Sequence, residues 1–279
     1  RSVKQSAGYD LLHLFVGSEG TLGVIVEATL KLVPIPTYMS AVVAGFPSIS
    51  AAVETVVAVR GSGLDPAALE LVDAAHTRML SNEEGVNLPN CPVVFMEFHA
   101  AQPETLQAGL AAVKELCDEG GAISFVSTTD TAERKKLWHA RHASYEIMVR
   151  SHPDKKFFIN DVAVPISTYP ELIAYVEELR DAHNVTCYMI GHAGDGNIHV
   201  EFPYANAAEY ALAQEMNGLI VHKAISLGGT CTGEHGVGIG KAKYLPAEHG
   251  PGLEVMRALK QTLDPNGILN PGKIFPQVL

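Results

Sequence analysis

The chain has 279 residues, 47% hydrophobic and 18% charged, which suits one large folded domain or two smaller ones and excludes a disordered chain. Thirty-one acidic against 20 basic side chains give a net charge of −11, and a field of that sign disfavours a nucleic-acid partner. No apolar run approaches the ~20 residues of a membrane helix. Cys91, Cys117, Cys187 and Cys231 are scattered, with no CxxC and no disulfide framework, which points to a reduced compartment.

Residues 1–35 form a first unit, too short to hold a core alone. Residues 11–16 read as a buried strand, residues 17–23 as a glycine-rich turn, and residues 24–33 as a second strand closed by Pro34 and Pro36. Beyond residue 38 strands are expected at 39–46, 92–100, 122–128, 157–166, 186–192 and 198–202. Amphipathic helices are expected at 48–61, 74–82, 103–119, 131–150, 168–182, 206–228 and 251–263. In the third of these, Leu106, Leu110, Val113 and Cys117 make one apolar stripe. Ser167 or Thr168, with Glu171 behind it, looks like a helix cap. Hairpins plus segregated helices imply an α+β fold, an antiparallel sheet with helices on one face.

The strongest local signal is Gly191-His192-Ala193-Gly194-Asp195-Gly196-Asn197-Ile198-His199. Asp-Gly between apolar runs predicts a two-residue type I′ turn, which would set His192 directly opposite His199 on one sheet face. Two imidazoles so placed can share a metal ion. The same hairpin also accommodates an ordinary cross-strand histidine pair. A second cluster, Thr232-Gly233-Glu234-His235-Gly236-Val237-Gly238, offers Glu234 as a third ligand and His235 as a general base, imidazole being the side chain that ordinarily titrates nearest neutrality. Gly236-Val237-Gly238-Ile239-Gly240-Lys241 is not a phosphate loop, because GxxxxGK[ST] would need glycine at His235 and a hydroxyl residue at Ala242. Arg141 reads as a bidentate clamp for a substrate carboxylate or as a salt-bridge residue, and Lys156 as a second cation at the same mouth or as a solvated lysine.

Together with Phe15-Val16-Gly17-Ser18-Glu19-Gly20-Thr21-Leu22-Gly23 and Leu263-Asp264-Pro265-Asn266-Gly267-Ile268-Leu269-Asn270-Pro271-Gly272-Lys273, these motifs resemble, in this order, the FAD-linked D-2-hydroxy acid dehydrogenases of the vanillyl-alcohol-oxidase superfamily. Gly229-Thr230-Cys231-Thr232-Gly233-Glu234-His235 and Asp161-Val162-Ala163-Val164-Pro165 look most like its D-lactate dehydrogenase (cytochrome) branch, near the flavin-bearing chain of glycolate oxidase. The resemblance implies FAD, with Gly17, Ser18, Gly20, Thr21, Gly23 and Asn270 on the cofactor side. It implies a divalent zinc or manganese ion on His192, His199 and Glu234, His235 as base, and Arg141 and Lys156 on the substrate carboxylate. The implied partners are a small 2-hydroxy acid and an electron acceptor such as a cytochrome c, a quinone or an electron-transfer flavoprotein, with homodimerisation open.

The family's glutarate branch has asparagine two residues after the second metal histidine. Here Glu201 stands there, and a carboxylate would repel a dicarboxylate substrate. The expected organisation is residues 1–35 as the end of an FAD-binding domain, 36–230 as a substrate-binding cap and 231–279 as a segment returning to the flavin. The pyrophosphate-cradling loop of the family lies upstream of such a stretch, so the chain is expected to be the later part of a longer protein. Relatives are bacterial, cytoplasmic or at the inner membrane, and mitochondrial. A metal-dependent hydrolase and a non-catalytic flavoprotein-like partner subunit are the rival readings.

Overall fold

The computed structural model describes residues 4, 6–83 and 86–275, so the extremes of the expected first and last segments lie outside the described residues. In chain order the helices are α1 (Leu11–Phe15), α2 (Ile49–Gly61), α3 (Ala74–Leu80), α4 (Pro103–Glu119), α5 (Thr131–His142), α6 (Ser144–Ser151), α7 (Tyr169–His183), α8 (Ala207–Ser226), α9 (Leu245–His249) and α10 (Gly252–Leu263). The strands are β1 (Tyr38–Gly45), β2 (Ala68–Val72), β3 (Val93–Ala100), β4 (Ser124–Thr128), β5 (Lys156–Ala163), β6 (Tyr188–Gly191) and β7 (Asn197–Tyr204). The chain divides into two compact units, one running from Val33 to Gly233 and the other made of the residues before and after it.

The Val33–Gly233 unit carries the expected α+β fold. All seven strands join one antiparallel sheet in the order β4-β1-β3-β2-β6-β7-β5. Its four long helices, α2, α4, α7 and α8, form a layer on one face. Val42, Met96, Leu71, Met189 and Val200 point to that layer and are fully buried, as are Val53, Leu172 and Met216 from the helices. Each such side chain contributes roughly 1.5–3 kcal/mol on leaving water. Residues directly paired across strands share a face. Val43, Phe95, Val72 and Ile190 therefore lie on the opposite face, where they pack with Leu80, Ile147 and Trp138 of α3, α6 and α5. The helix layer is as expected; the three shorter helices on the second face are an addition to it.

Several elements differ from the sequence reading. Residues 11–16 do not form a strand: α1 forms there because the Asp10 carboxylate accepts from the His13 amide at 3.3 Å and satisfies the first turn. Residues 24–33 form no strand among the described residues; Val26 and Leu32 are 91% and 85% exposed, and no described strand supplies the ladder that alternation alone cannot replace. The helix expected over 131–150 breaks at Ala143 into α5 and α6. Thr168 makes no side-chain cap for α7; its hydroxyl instead closes the preceding 3₁₀ turn on the Pro165 carbonyl. β2 was not foreseen, because Ala-Leu-Glu-Leu-Val has helical as well as strand character, yet it sits at the centre of the sheet. No helix among the described residues is long and apolar enough to cross a membrane.

Candidate functional site

The hairpin joining β6 to β7 is not the two-residue turn expected. Its register pairs Ile190 with His199, so His192 stands opposite Asn197, whose amide donates to the His192 carbonyl at 3.2 Å. A 3₁₀ turn over residues 193–195 fills the loop, and only Gly196 takes a positive φ, of 70°. A type I′ turn would need that conformation at Asp195 as well; a four-residue loop built on a tighter helical turn avoids it. The slip from the expected register is two residues, which preserves the face. The rings of His192 and His199 therefore still meet, with centroids 5.8 Å apart and planes at 88°. Gly191 lets the strands close, since a Cβ there would lie 2.4 Å from the Asn197 carbonyl oxygen.

Each ring is backed by a buried carboxylate that the sequence reading did not single out. Glu70, in the middle of β2, accepts from His192 Nδ1 at 2.8 Å on one oxygen and from Arg141 Nη2 at 2.6 Å on the other. Burial alone would raise its pKa, but the His192 hydrogen bond and the Arg141 charge outweigh it and hold the carboxyl below its usual range. Asp161 of β5 pairs across the ladder with His199 and places Oδ1 3.5 Å from Nδ1 of that ring. It is fully buried and accepts from Asn197 Nδ2 at 2.8 Å and from Thr232 Oγ1 at 2.9 Å. Gly233 follows that threonine closely: a Cβ on it would fall 2.1 Å from Asn197 Nδ2 and 2.7 Å from Asp161 Oδ1. Gly233→Ala must push Asn197 off Asp161, and we expect a loss of about 1–3 kcal/mol in urea unfolding. An unchanged midpoint would show that Asn197 moves without cost.

A cavity of about 260 Å³ opens on Glu70 and His192, edged by Arg60, Leu69, Gly194 and Asp195. Arg141, the expected clamp, is buried on this face and gives one Nη2 N–H to Glu70, which leaves four of its five N–H groups beyond that bond. Lys156 is a correction. It pairs with Tyr204 at the far end of β5, five residues from Asp161, so it lies roughly 17 Å along the strand and on the other face. There it lines a different cavity, of about 350 Å³, with Asp154, Tyr204 and Tyr210.

Glu201 shares the face of His199, two residues along β7, and is 4% exposed. Burial, with the Asp73 carboxylate adding to it, lifts its pKa to about 8, against a smaller opposing pull from Arg141. Near neutral pH this shift favours the uncharged acid, beside His76 Nδ1 3.8 Å away, and weakens the charge repulsion expected of it. His76 is itself neutral, since burial lowers its pKa to about 4.

In the other unit, Glu234 and His235 are adjacent and half-exposed, with Oε1 and Nε2 3.8 Å apart. The glycine turn forms as expected, with positive φ at Gly17, Glu19 and Gly20. Ser18 and Thr21 turn their hydroxyls onto the Phe15 and Ser18 carbonyls at 2.8 and 2.7 Å. Asn270 donates to the Glu19 carbonyl, which brings two of the expected cofactor segments together. The Glu19 carboxylate caps the Val237 and Gly238 amides at 2.6 and 2.9 Å. A Cβ added at Gly17 would meet nothing within 4 Å, whereas Gly23 packs against Phe15.

The chain is 38% identical over 279 residues to mitochondrial D-lactate dehydrogenase [cytochrome] of Arabidopsis thaliana, covering 99% of this chain and 49% of that protein. It is 35% identical to glycolate oxidase subunit GlcD of Bacillus subtilis, covering 98% and 58%. The chain thus spans about half the length of the curated relatives it matches. Among solved structures, an alkyldihydroxyacetonephosphate synthase shares the fold with a TM-score of 0.65 at 17% identity, over 96% of this chain and 50% of that one. The profile of the FAD linked oxidases, C-terminal domain, matches residues 35–274, and the chain belongs to that family.

Proposed function

We propose that the chain is the substrate-side part of an FAD-linked dehydrogenase that oxidises a small D-2-hydroxy acid, D-lactate first, to the 2-keto acid. The observation that carries this reading is the imidazole pair of His192 and His199, 5.8 Å apart and each set against a buried carboxylate, in a chain whose relatives are named for D-lactate dehydrogenase and glycolate oxidase. In this reading residues 1–35 and 231–279 serve the flavin and 36–230 the substrate. His192 and His199, with Glu234 as third ligand, are a donor set that suits zinc or manganese. They would hold a divalent ion, which would supply Lewis acidity toward the substrate hydroxyl.

His235 takes the hydroxyl proton on a ring nitrogen. Arg141 holds the substrate carboxylate through N–H groups other than the one given to Glu70, which fixes the face of Cα that is presented. FAD, when bound, supplies the two-electron oxidant. The link between Asn270 and the Glu19 carbonyl beside Gly20 would keep two of these cofactor-side segments together. Reoxidation would fall to an acceptor such as a cytochrome, a quinone or an electron-transfer flavoprotein.

The test is anaerobic addition of D-lactate to the flavin-loaded protein, with flavin bleaching and pyruvate as readouts. His235→Ala is expected to lower turnover by about 10²–10⁴-fold with metal content unchanged. No bleaching by any 2-hydroxy acid, or undiminished turnover in the variant, contradicts the reading.

A further inference from the structure

We propose that Glu70 is a positioning residue that fixes the tautomer of His192 and ties that ring to Arg141; the proposal rests on the reading of His192 as a metal ligand. Glu70 projects from the central strand β2, opposite Phe95 and on the face that carries His199. It is 8% exposed, and each of its two oxygens serves one partner, His192 Nδ1 at 2.8 Å and Arg141 Nη2 at 2.6 Å. A carboxylate accepts and cannot donate, so the ring nitrogen facing it must carry the proton. The ring lone pair is then on Nε2, and an imidazole whose Nδ1–H is held by a carboxylate is both oriented and made more basic.

Because β2 is hydrogen-bonded on both sides, the carboxylate is anchored by backbone rather than by a loop. One side chain thus sets the spacing between the ring and the guanidinium. A purely structural Arg141–Glu70 ion pair would leave the tautomer of His192 unspecified, and this separates the two roles.

The experiment uses the whole chain, ¹⁵N-labelled and stripped of metal, with the His192 ring signals assigned through His192→Gln. Long-range ¹H–¹⁵N correlation at pH 8 should show His192 protonated on Nδ1, and Glu70→Gln should shift the ring toward the Nε2–H form. An Nε2–H ring in the wild type overturns the proposal, and this needs no variant to fold. Titration with Mn(II), followed by electron paramagnetic resonance, should show 10–100-fold weaker binding in Glu70→Gln, the usual range for loss of such a partner. Equal affinity overturns the positioning role. A wild-type chain that binds no Mn(II) refutes the metal reading instead, while the tautomer still decides the role of Glu70.

Discussion

His199→Ala is expected to leave the protein folded, without stoichiometric divalent metal, and with hydroxy acid turnover at the background of the flavin alone. His199 projects from β7 between two strands and is held at 8% exposure, so its position is set by the sheet rather than by a mobile loop. Removing it takes away one of two imidazoles on the same face, and a remaining pair of ligands holds such an ion poorly. The fold should survive because Asp161, which loses a neighbour, retains its bonds from Asn197 and Thr232. Circular dichroism and metal analysis by mass spectrometry check the two halves of this expectation. A folded variant that keeps one equivalent of metal removes His199 from the ligand set.

Glu201→Gln is expected to reverse a pH-dependent weakness of the metal-free protein. The folded-state pKa of Glu201 is raised from 4.5 to about 8, chiefly by burial. A carboxyl shifted upward favours the fold while it is protonated. Its contribution is complete below pH 4.5 and is lost as pH climbs through 8. Glutamine has the same shape and cannot ionise, so the variant escapes that loss. At one pH unit per ~1.4 kcal/mol, the gap in favour of Glu201→Gln should widen to the order of 5 kcal/mol above pH 8 relative to its value at pH 4.5. Asp73, whose carboxylate adds to the Glu201 shift, also titrates in this range, so the gap reports the coupled pair rather than Glu201 alone. Urea midpoints across pH 4.5 to 9 with a chelator present give the measurement. Parallel curves for the two proteins would show that Glu201 ionises freely in the fold.

The histidine pair was legible in the sequence although the turn that presents it was not. Parity along a strand survives a two-residue change of register, so the His192–His199 meeting depends on the face and not on the turn type. The carboxylates behind the rings were hidden for a different reason. Glu70 lies in a run with both helical and strand character, and only its membership of the central strand places it opposite Phe95 and within reach of His192. The available signal was a lone acid among apolar residues, since an unpaired glutamate is costly to bury.

Lys156 was misplaced because its distance from the histidines is a matter of ladder register, and register between β5 and β7 is a long-range property that local spacing does not reveal. Residues 24–33 carry strand alternation without a strand among the described residues, because alternation selects a face and a ladder still has to come from a neighbour. The place of β2 between β3 and β6 is likewise a matter of long-range pairing that local pattern does not reveal.

X-ray absorption at the zinc or manganese edge of the metal-loaded chain tests the central claim most directly. One ion per chain with two imidazole nitrogens in its coordination sphere, at ~2.0–2.1 Å for zinc, is the predicted result. A reconstituted ion surrounded by oxygen alone, with no imidazole scattering, would contradict it.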